Sequence, residues 1–240
     1  MSRADDGATG PSAAPVVRDT VAPRPVLRRE LVHHGRIWDV VADDVDLGGG
    51  TVVTREIVDH PGAVAVVALD DEGRTLLLRQ YRHPVGRELW EIPAGLLDVV
   101  GEPAAEAAAR ELGEEADLRA ARWDVLADYY TTPGGSSEAV RVFLARDLTP
   151  VPDAERHVRE DEERDIELRW VALEEAVAAV LAGAVHNPSA VVGVLAAHAA
   201  HGAGWATLRP ADAPWPERRT ATLMELRERE AGGGGAVERS

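Results

Sequence analysis

The chain contains no cysteine and no lysine. Without cysteine there can be no disulfide, thiol nucleophile or zinc–thiolate site, which fits a cytoplasmic location. All 26 basic residues are therefore arginine. That excludes a P-loop lysine, a pyridoxal Schiff base and a kinase strand lysine. Excess positive charge is lacking too. With a net charge of −16, nothing is available to replace phosphate counterions, and no nucleic-acid partner is expected. An anionic small molecule remains a feasible ligand where a divalent metal and local arginines neutralise it. Long apolar runs are also missing. The longest, Ala176–Val185, follows Glu174 and Glu175 and is too short to span a bilayer, so no membrane partner is expected. The N-terminus has no charged start followed by an apolar block, so no secretory signal is read there.

What is present divides the 240 residues into four parts. Residues 1–23, rich in Ala, Pro, Gly, Ser and Asp, read as a disordered leader. Residues 24–60 carry strand-like runs at Val26–Val32, Arg36–Ala42 and Thr51–Val58, separated by His34-Gly35 and Gly48-Gly49-Gly50. They predict a small antiparallel β piece. Residues 61–205 form the main domain. Ala63–Leu69 and Thr75–Tyr81, joined by Asp70-Asp71-Glu72-Gly73, predict a hairpin, with a further strand at Glu88–Ile92. Glu102–Ala116 is a helix with Pro103 in its first turn and Asp117 as a left-handed end. Strands follow at Arg122–Ala127, Glu138–Ala145 and Ile166–Ala172, then helices at Leu173–Ala182 and Pro188–His201, the second capped by Asn187. Residues 206–240 read as a tail with a short helix near Thr220–Glu230. This order predicts a mixed-sheet α/β sandwich rather than a regular βαβ repeat.

The first helix holds the chemistry. At about 100° per residue, Ala105, Ala109, Leu112 and Ala116 fall on one stripe expected to face the sheet. Glu111, Glu114 and Glu115 gather on the other side, spaced i, i+3, i+4. A solvated charged face would have the same composition, but carboxylates this close repel each other and weaken the helix. Clustered hard oxygen donors suit a cation such as Mg²⁺.

Upstream lies Leu89-Trp90-Glu91-Ile92-Pro93-Ala94-Gly95-Leu96-Leu97-Asp98, then Gly101-Glu102. With these residues the chain resembles the Nudix hydrolases, whose box reads G-x5-E-x7-R-E-U-x-E-E-x-G-U, where U is bulky and apolar. Glu102, seven intervening residues, Arg110-Glu111, Leu112, Glu114-Glu115 and Leu118 match that frame. Six residues rather than five separate Gly95 from Glu102, and Asp117 replaces the late glycine. The resemblance, over roughly residues 25–205, implies an α/β/α sandwich with a mixed sheet. It also implies Mg²⁺, or Mn²⁺, held by Glu111 and Glu115 with Glu114 close by and the carbonyl of Ala94 as a further ligand. Arg110 would orient the carboxylates, Glu102 would brace the loop–helix junction, and Gly95 would shape the loop.

Three features are similar to the ADP-ribose pyrophosphatase branch: the Glu88–Asp98 segment behind Arg79-Gln80-Tyr81-Arg82, Pro133 fifteen residues after Leu118, and the acidic stretch Glu160–Glu163 before a strand. By that resemblance Glu163, with Glu162 beside it, acts on the attacking water, and Arg82 contacts diphosphate. Each feature has a plainer reading. Pro133 followed by two glycines is first of all a turn, the acidic stretch a solvated charge run, and Trp38 a core residue. In the related enzymes the N-terminal β piece is exchanged across a homodimer, which would bring Trp38, Arg55 and Glu56 to a substrate. The implied function is hydrolysis of ADP-ribose to AMP and ribose 5-phosphate. Alternatives are another nucleoside-diphosphate sugar, or a Nudix-fold sensor that binds without cleaving. Retention of Glu102, Glu111, Glu114 and Glu115 favours catalysis over sensing.

Overall fold

The computed structural model describes residues 17–158 and 166–218. Val17–Arg18 and residues 19–25 are exposed and form neither helix nor strand. The N-terminal sheet is β1 (Val26–His34), β2 (Asp39–Gly48) and β3 (Thr51–Asp59), antiparallel in that order. Gly48, Gly49 and Gly50 all take positive φ in the β2–β3 turn, a conformation that favours glycine. The second strand starts later than its apolar pattern suggests, because the chain folds back at Gly35, where a Cβ would collide with the carbonyl of Trp38.

The main domain is an α/β/α sandwich. Its central sheet runs β11 (Arg209–Pro210), β8 (Leu118–Tyr130), β9 (Ala139–Pro150), β4 (Ala63–Ala68), β7 (Ala94–Leu96). The β4–β9 pair is parallel and its neighbours are antiparallel, so the sheet is mixed, as the element order predicts. A second sheet runs β10 (Glu167–Ala172), β5 (Arg74–Arg82), β6 (Arg87–Glu91). Strand β4 is buried on both faces. Val64, Val66 and Ala68 pack with Leu112, Ala107 and Ala108 of α1 (Ala104–Ala116). Ala65 and Val67 pack with Ala190, Val194 and Ala197 of α3 (Pro188–Gly202) and with Ala176 of α2 (Leu173–Leu181). Each buried Val or Leu contributes roughly 1.5–3 kcal/mol. Gly193 sets the α3 approach, since a Cβ there would lie 2.9 Å from both Ile92 Cδ1 and Val67 Cγ2.

Local signals terminate the helices as expected. The Asn187 side chain accepts from the Ala190 N–H at 3.0 Å. Asp117 closes α1 at φ 54°, its N–H donating to the Gly113 carbonyl at 3.2 Å.

Three expectations need correction. The Asp70–Gly73 turn forms, with the Asp70 carboxylate accepting the N–H groups of Glu72 and Arg74. Yet the ladder pairing ends at the Leu69–Thr75 bridge, and β4 and β5 then part into different sheets. Pro103 is the cap position before α1 rather than a residue of its first turn. Finally, Ala109 is exposed and Ala105 only half-buried, whereas Ala107, Ala108, Glu111, Leu112, Glu115 and Ala116 are buried. Glu111 and Glu115 therefore share the inward side of α1 with Leu112 instead of opposing it.

Candidate active site

Leu112 draws α1 onto the sheet, and its neighbours Glu111 and Glu115 then meet β7. Glu115 is 6% exposed, and its Oε2 accepts the Ala94 N–H at 2.8 Å. Glu111, 9% exposed, lies against Gly95, where a Cβ would collide with its Cδ and Oε1. Glycine lets the strand pass that carboxylate without displacing it. Burial pushes the Glu111 carboxyl above its ordinary range; Arg110 opposes this, and the charges of Glu114 and Asp98 reinforce it.

Arg110 ties the acidic residues together. Its Nε and Nη2 each donate to the Glu102 carboxylate at 3.1 Å, a bidentate pair across the loop–helix junction. Its Nη1 donates to Glu111 Oε1 at 2.6 Å and lies 3.2 Å from Glu114 Oε2. These partners raise the Arg110 pKa further. Among the described residues no three carboxylate or imidazole groups are gathered as a ready-made metal cage. The donor chemistry nonetheless fits a hard divalent cation. The candidate side-chain donors are oxygens only, two of the carboxylates are largely buried, and one cationic nitrogen already bridges Glu111 and Glu114.

The remaining expected residues fall into separate groups. Arg82 donates from Nε and Nη2 to the Glu91 carboxylate at 2.9 and 2.7 Å, and Glu91 is 1% exposed. Arg79 instead pairs outward with Glu167 and Glu88. Arg55 and Pro133 meet in a cleft of about 620 Å³ that Ile57, Tyr130 and Ser136 also line. Glu56, on the opposite face of β3, is exposed and does not line it. Trp38 is 44% exposed and stacks on the His60 ring, centroids 5.7 Å apart. Glu162 and Glu163 lie outside the described residues, as does the short helix expected near Thr220–Glu230. Sequence reasoning missed Glu91 as the partner of Arg82. The available signal was an acidic residue set between Trp90 and Ile92.

A mixed-sheet sandwich with an arginine-bridged glutamate helix seated on a glycine-containing strand is the architecture of a diphosphate-cleaving hydrolase class. The chain belongs to the NUDIX domain family, matched over residues 59–191, whose members generally use a divalent metal. It is 48% identical over 200 residues to an ADP-ribose pyrophosphatase of Mycobacterium tuberculosis, covering 83% of this chain and 95% of that protein. It is 40% identical over 161 residues to an ADP-ribose pyrophosphatase of Bacillus subtilis, covering 67% of this chain and 85% of that protein. The fold is similar to a crystal structure of an ADP compounds hydrolase. That TM-score is 0.62 at 22% identity, over 78% of this chain and 99% of the other. Among the described residues, no helix is long and apolar enough to cross a membrane.

Proposed function

We propose that this protein hydrolyses ADP-ribose to AMP and ribose 5-phosphate with Mg²⁺, or Mn²⁺, as its cofactor. The observation that carries the reading is the seating of Glu111 and Glu115 side by side against Ala94 and Gly95. Burying two neighbouring carboxylates is unfavourable for folding alone. The 48% identity to an ADP-ribose pyrophosphatase supplies the substrate.

Glu111, Glu115 and the Ala94 carbonyl, with Glu114 adjacent, would hold the cation, and Gly95 leaves room for it. A bound divalent cation supplies Lewis-acid polarisation of the diphosphate and acidifies water. Arg110 fixes the carboxylate positions, and Glu102 fixes Arg110. Arg82, held by Glu91 with part of its guanidinium exposed, contacts the diphosphate. Water adds to one phosphorus, the bridging P–O bond breaks, and the second phosphate departs on the other product. Glu163, with Glu162 next to it in sequence, takes the proton from that water. Arg55 and Pro133 bound the space for the nucleoside end.

A homodimer accompanies this reading. All nine residues of β1 are exposed, among them Val26, Leu27, Leu31 and Val32. An exposed edge strand with four large aliphatic side chains calls for a partner. A second copy would carry Trp38 and Glu56 toward its neighbour's substrate, while Arg55 stays with Pro133 in the cleft of its own subunit. Light scattering during size exclusion should give twice the chain mass.

The test of function is product analysis. ADP-ribose with Mg²⁺ should yield AMP and ribose 5-phosphate in equal amounts, and excess chelator should abolish both. Faster turnover of a GDP- or UDP-sugar would reassign the substrate. Saturable ADP-ribose binding without products would make the protein a sensor.

A further inference from the structure

After α3 the chain does not leave the domain. Residues 205–218 wrap round edge strand β8. Trp205 and Leu208 pack into the core on the α3 side. Arg209 and Pro210 pair with Val125 and Asp124 of β8. Ala211, Ala213 and Trp215 then pack into the core on the α1 side.

One buried arginine clasps this strap. Arg141 on β9 is 2% exposed, and its Nε and Nη2 donate to Asp128 at 2.7 and 3.0 Å. The same guanidinium donates to the carbonyls of Ala213 at 2.7 Å and Pro214 at 3.1 Å, and stacks 4.7 Å from the Trp215 ring. Asp128 also accepts from Arg209 at 2.7 Å, so one ion-pair network grips the strap at two points. Burying a guanidinium is costly unless its donors are satisfied, and here the strap's own carbonyls satisfy them.

The end of the strap reaches the candidate active site. The Tyr130 hydroxyl donates to the Glu217 carbonyl at 3.3 Å, and Glu217 lines the cleft shared by Arg55 and Pro133. Arg218 Nη2 lies 3.5 Å from the carbonyl of Leu97. Leu97 is pinned from the other side, its N–H donating to Gly62 at 3.0 Å. It directly precedes Asp98, whose charge acts on Glu111.

We propose that the strap 205–218 is a positioning element for catalysis. Clasped by Arg141, it walls the cleft with Glu217 and steadies the Ala94–Asp98 segment through Arg218. None of its residues touches the reacting atoms; the effect passes through Leu97 to strand β7, which presents Ala94 and Gly95 to Glu115 and Glu111. The catalytic half of the inference rests on the proposed hydrolase reading, while the loop-steadying half does not.

The experiment compares full-length wild type with Arg218→Met and Arg141→Met. Amide hydrogen exchange is followed over residues 94–102, alongside kcat and KM for ADP-ribose and the melting temperature. In Arg218→Met, exchange over 94–102 should speed up on the order of 10-fold through easier local opening. Its kcat should fall about 10-fold with KM within about 2-fold, as expected of a displaced loop. Arg141→Met should do the same more strongly, and Arg141→Lys should not rescue it, because an ammonium cannot make the bidentate fork. Should Arg141→Met fail to fold, Arg218→Met alone decides. Unchanged exchange over 94–102 overturns the inference, as does faster exchange with kcat and KM both unaltered. A wild type inactive on ADP-ribose whose exchange still responds to Arg218→Met would overturn the substrate reading and leave the strap standing as a loop clamp.

Discussion

The backbone N–H of Ala94 donates to Oε2 of Glu115 at 2.8 Å, joining the strand before the box to the helix within it. The carboxylate is thus both a tether for β7 and a candidate metal ligand, and the two roles can be separated. A glutamine side-chain oxygen still accepts the Ala94 N–H, so Glu115→Gln should keep the tether while losing the negative charge. We expect activity to fall about 100-fold or more, as when a preorganised charge-stabilising group is removed. The melting temperature should stay within a few degrees of wild type. A variant that unfolds, or one that keeps full turnover, contradicts the assignment.

Gly95 offers an independent probe of the same contact. A methyl group there would meet the far end of the Glu111 side chain rather than backbone, so Glu111 can swing away at modest cost. Gly95→Ala should therefore fold with a melting temperature close to wild type. Turnover should drop about 10- to 100-fold, the range expected when a ligand is moved out of place. Normal turnover in Gly95→Ala would show that the Glu111 position does not matter.

The acidic helix, its C-terminal end and the start of α3 were legible because chemistry dictates residue types there. Carboxylates must be Glu or Asp, the left-handed stop at Asp117 tolerates few residues, and the Asn187-Pro188 cap is a local signal. The buried face of α1 was not legible, since Ala105, Ala107, Ala108 and Ala109 are identical side chains with no polarity gradient among them. The choice falls to Leu112 and to the pull of β7 on Glu111 and Glu115. The β4–β5 hairpin misled for a different reason. The Asp70 turn is local chemistry, whereas the pairing of Ala63 with Val140 is a contact between distant segments that no short window contains. The strap was invisible on the same ground: Arg141 binds backbone carbonyls of Ala213 and Pro214, which carry no sequence signature.

Burial raises the Glu111 pKa, and the consequence for stability has a definite sign. A carboxyl whose folded value lies above its unfolded one contributes stability below the unfolded pKa, near 4.5, and loses it as pH rises through the folded value. Ionising Glu111 is therefore a cost to the fold that a bound cation would relieve. Mg²⁺ at about 100 times its dissociation constant should stabilise the fold by about 2.7 kcal/mol. For a domain of this size that raises the melting temperature by on the order of 5 °C. The gain should shrink as pH falls, because protons compete with the cation for a carboxylate whose pKa is raised. Glu111→Gln in chelator should melt no lower than wild type and should gain little from Mg²⁺. Equal Mg²⁺ stabilisation of wild type and Glu111→Gln would place the cation elsewhere.

His60 titrates in the opposite sense, and it lies where the N-terminal sheet meets the main domain. Its Nδ1 accepts the Gly62 N–H at 3.1 Å, its ring stacks on Trp38, and its Nε2 is 3.6 Å from Glu138 Oε1. Burial lowers its pKa, outweighing the raising influence of Glu138 and Asp59. A histidine whose folded pKa is depressed supports the fold fully above its unfolded value, near 6.5, and that contribution is lost as pH falls through the folded value. The protein should therefore melt progressively lower as pH drops below about 6.5. His60→Asn places a side-chain oxygen where it can accept the Gly62 N–H but cannot take up the proton. Its melting temperature should fall less between about pH 7.5 and pH 5.5 than that of wild type. Parallel curves for the two proteins would mean that another group, not this imidazole, sets the acid sensitivity of the junction.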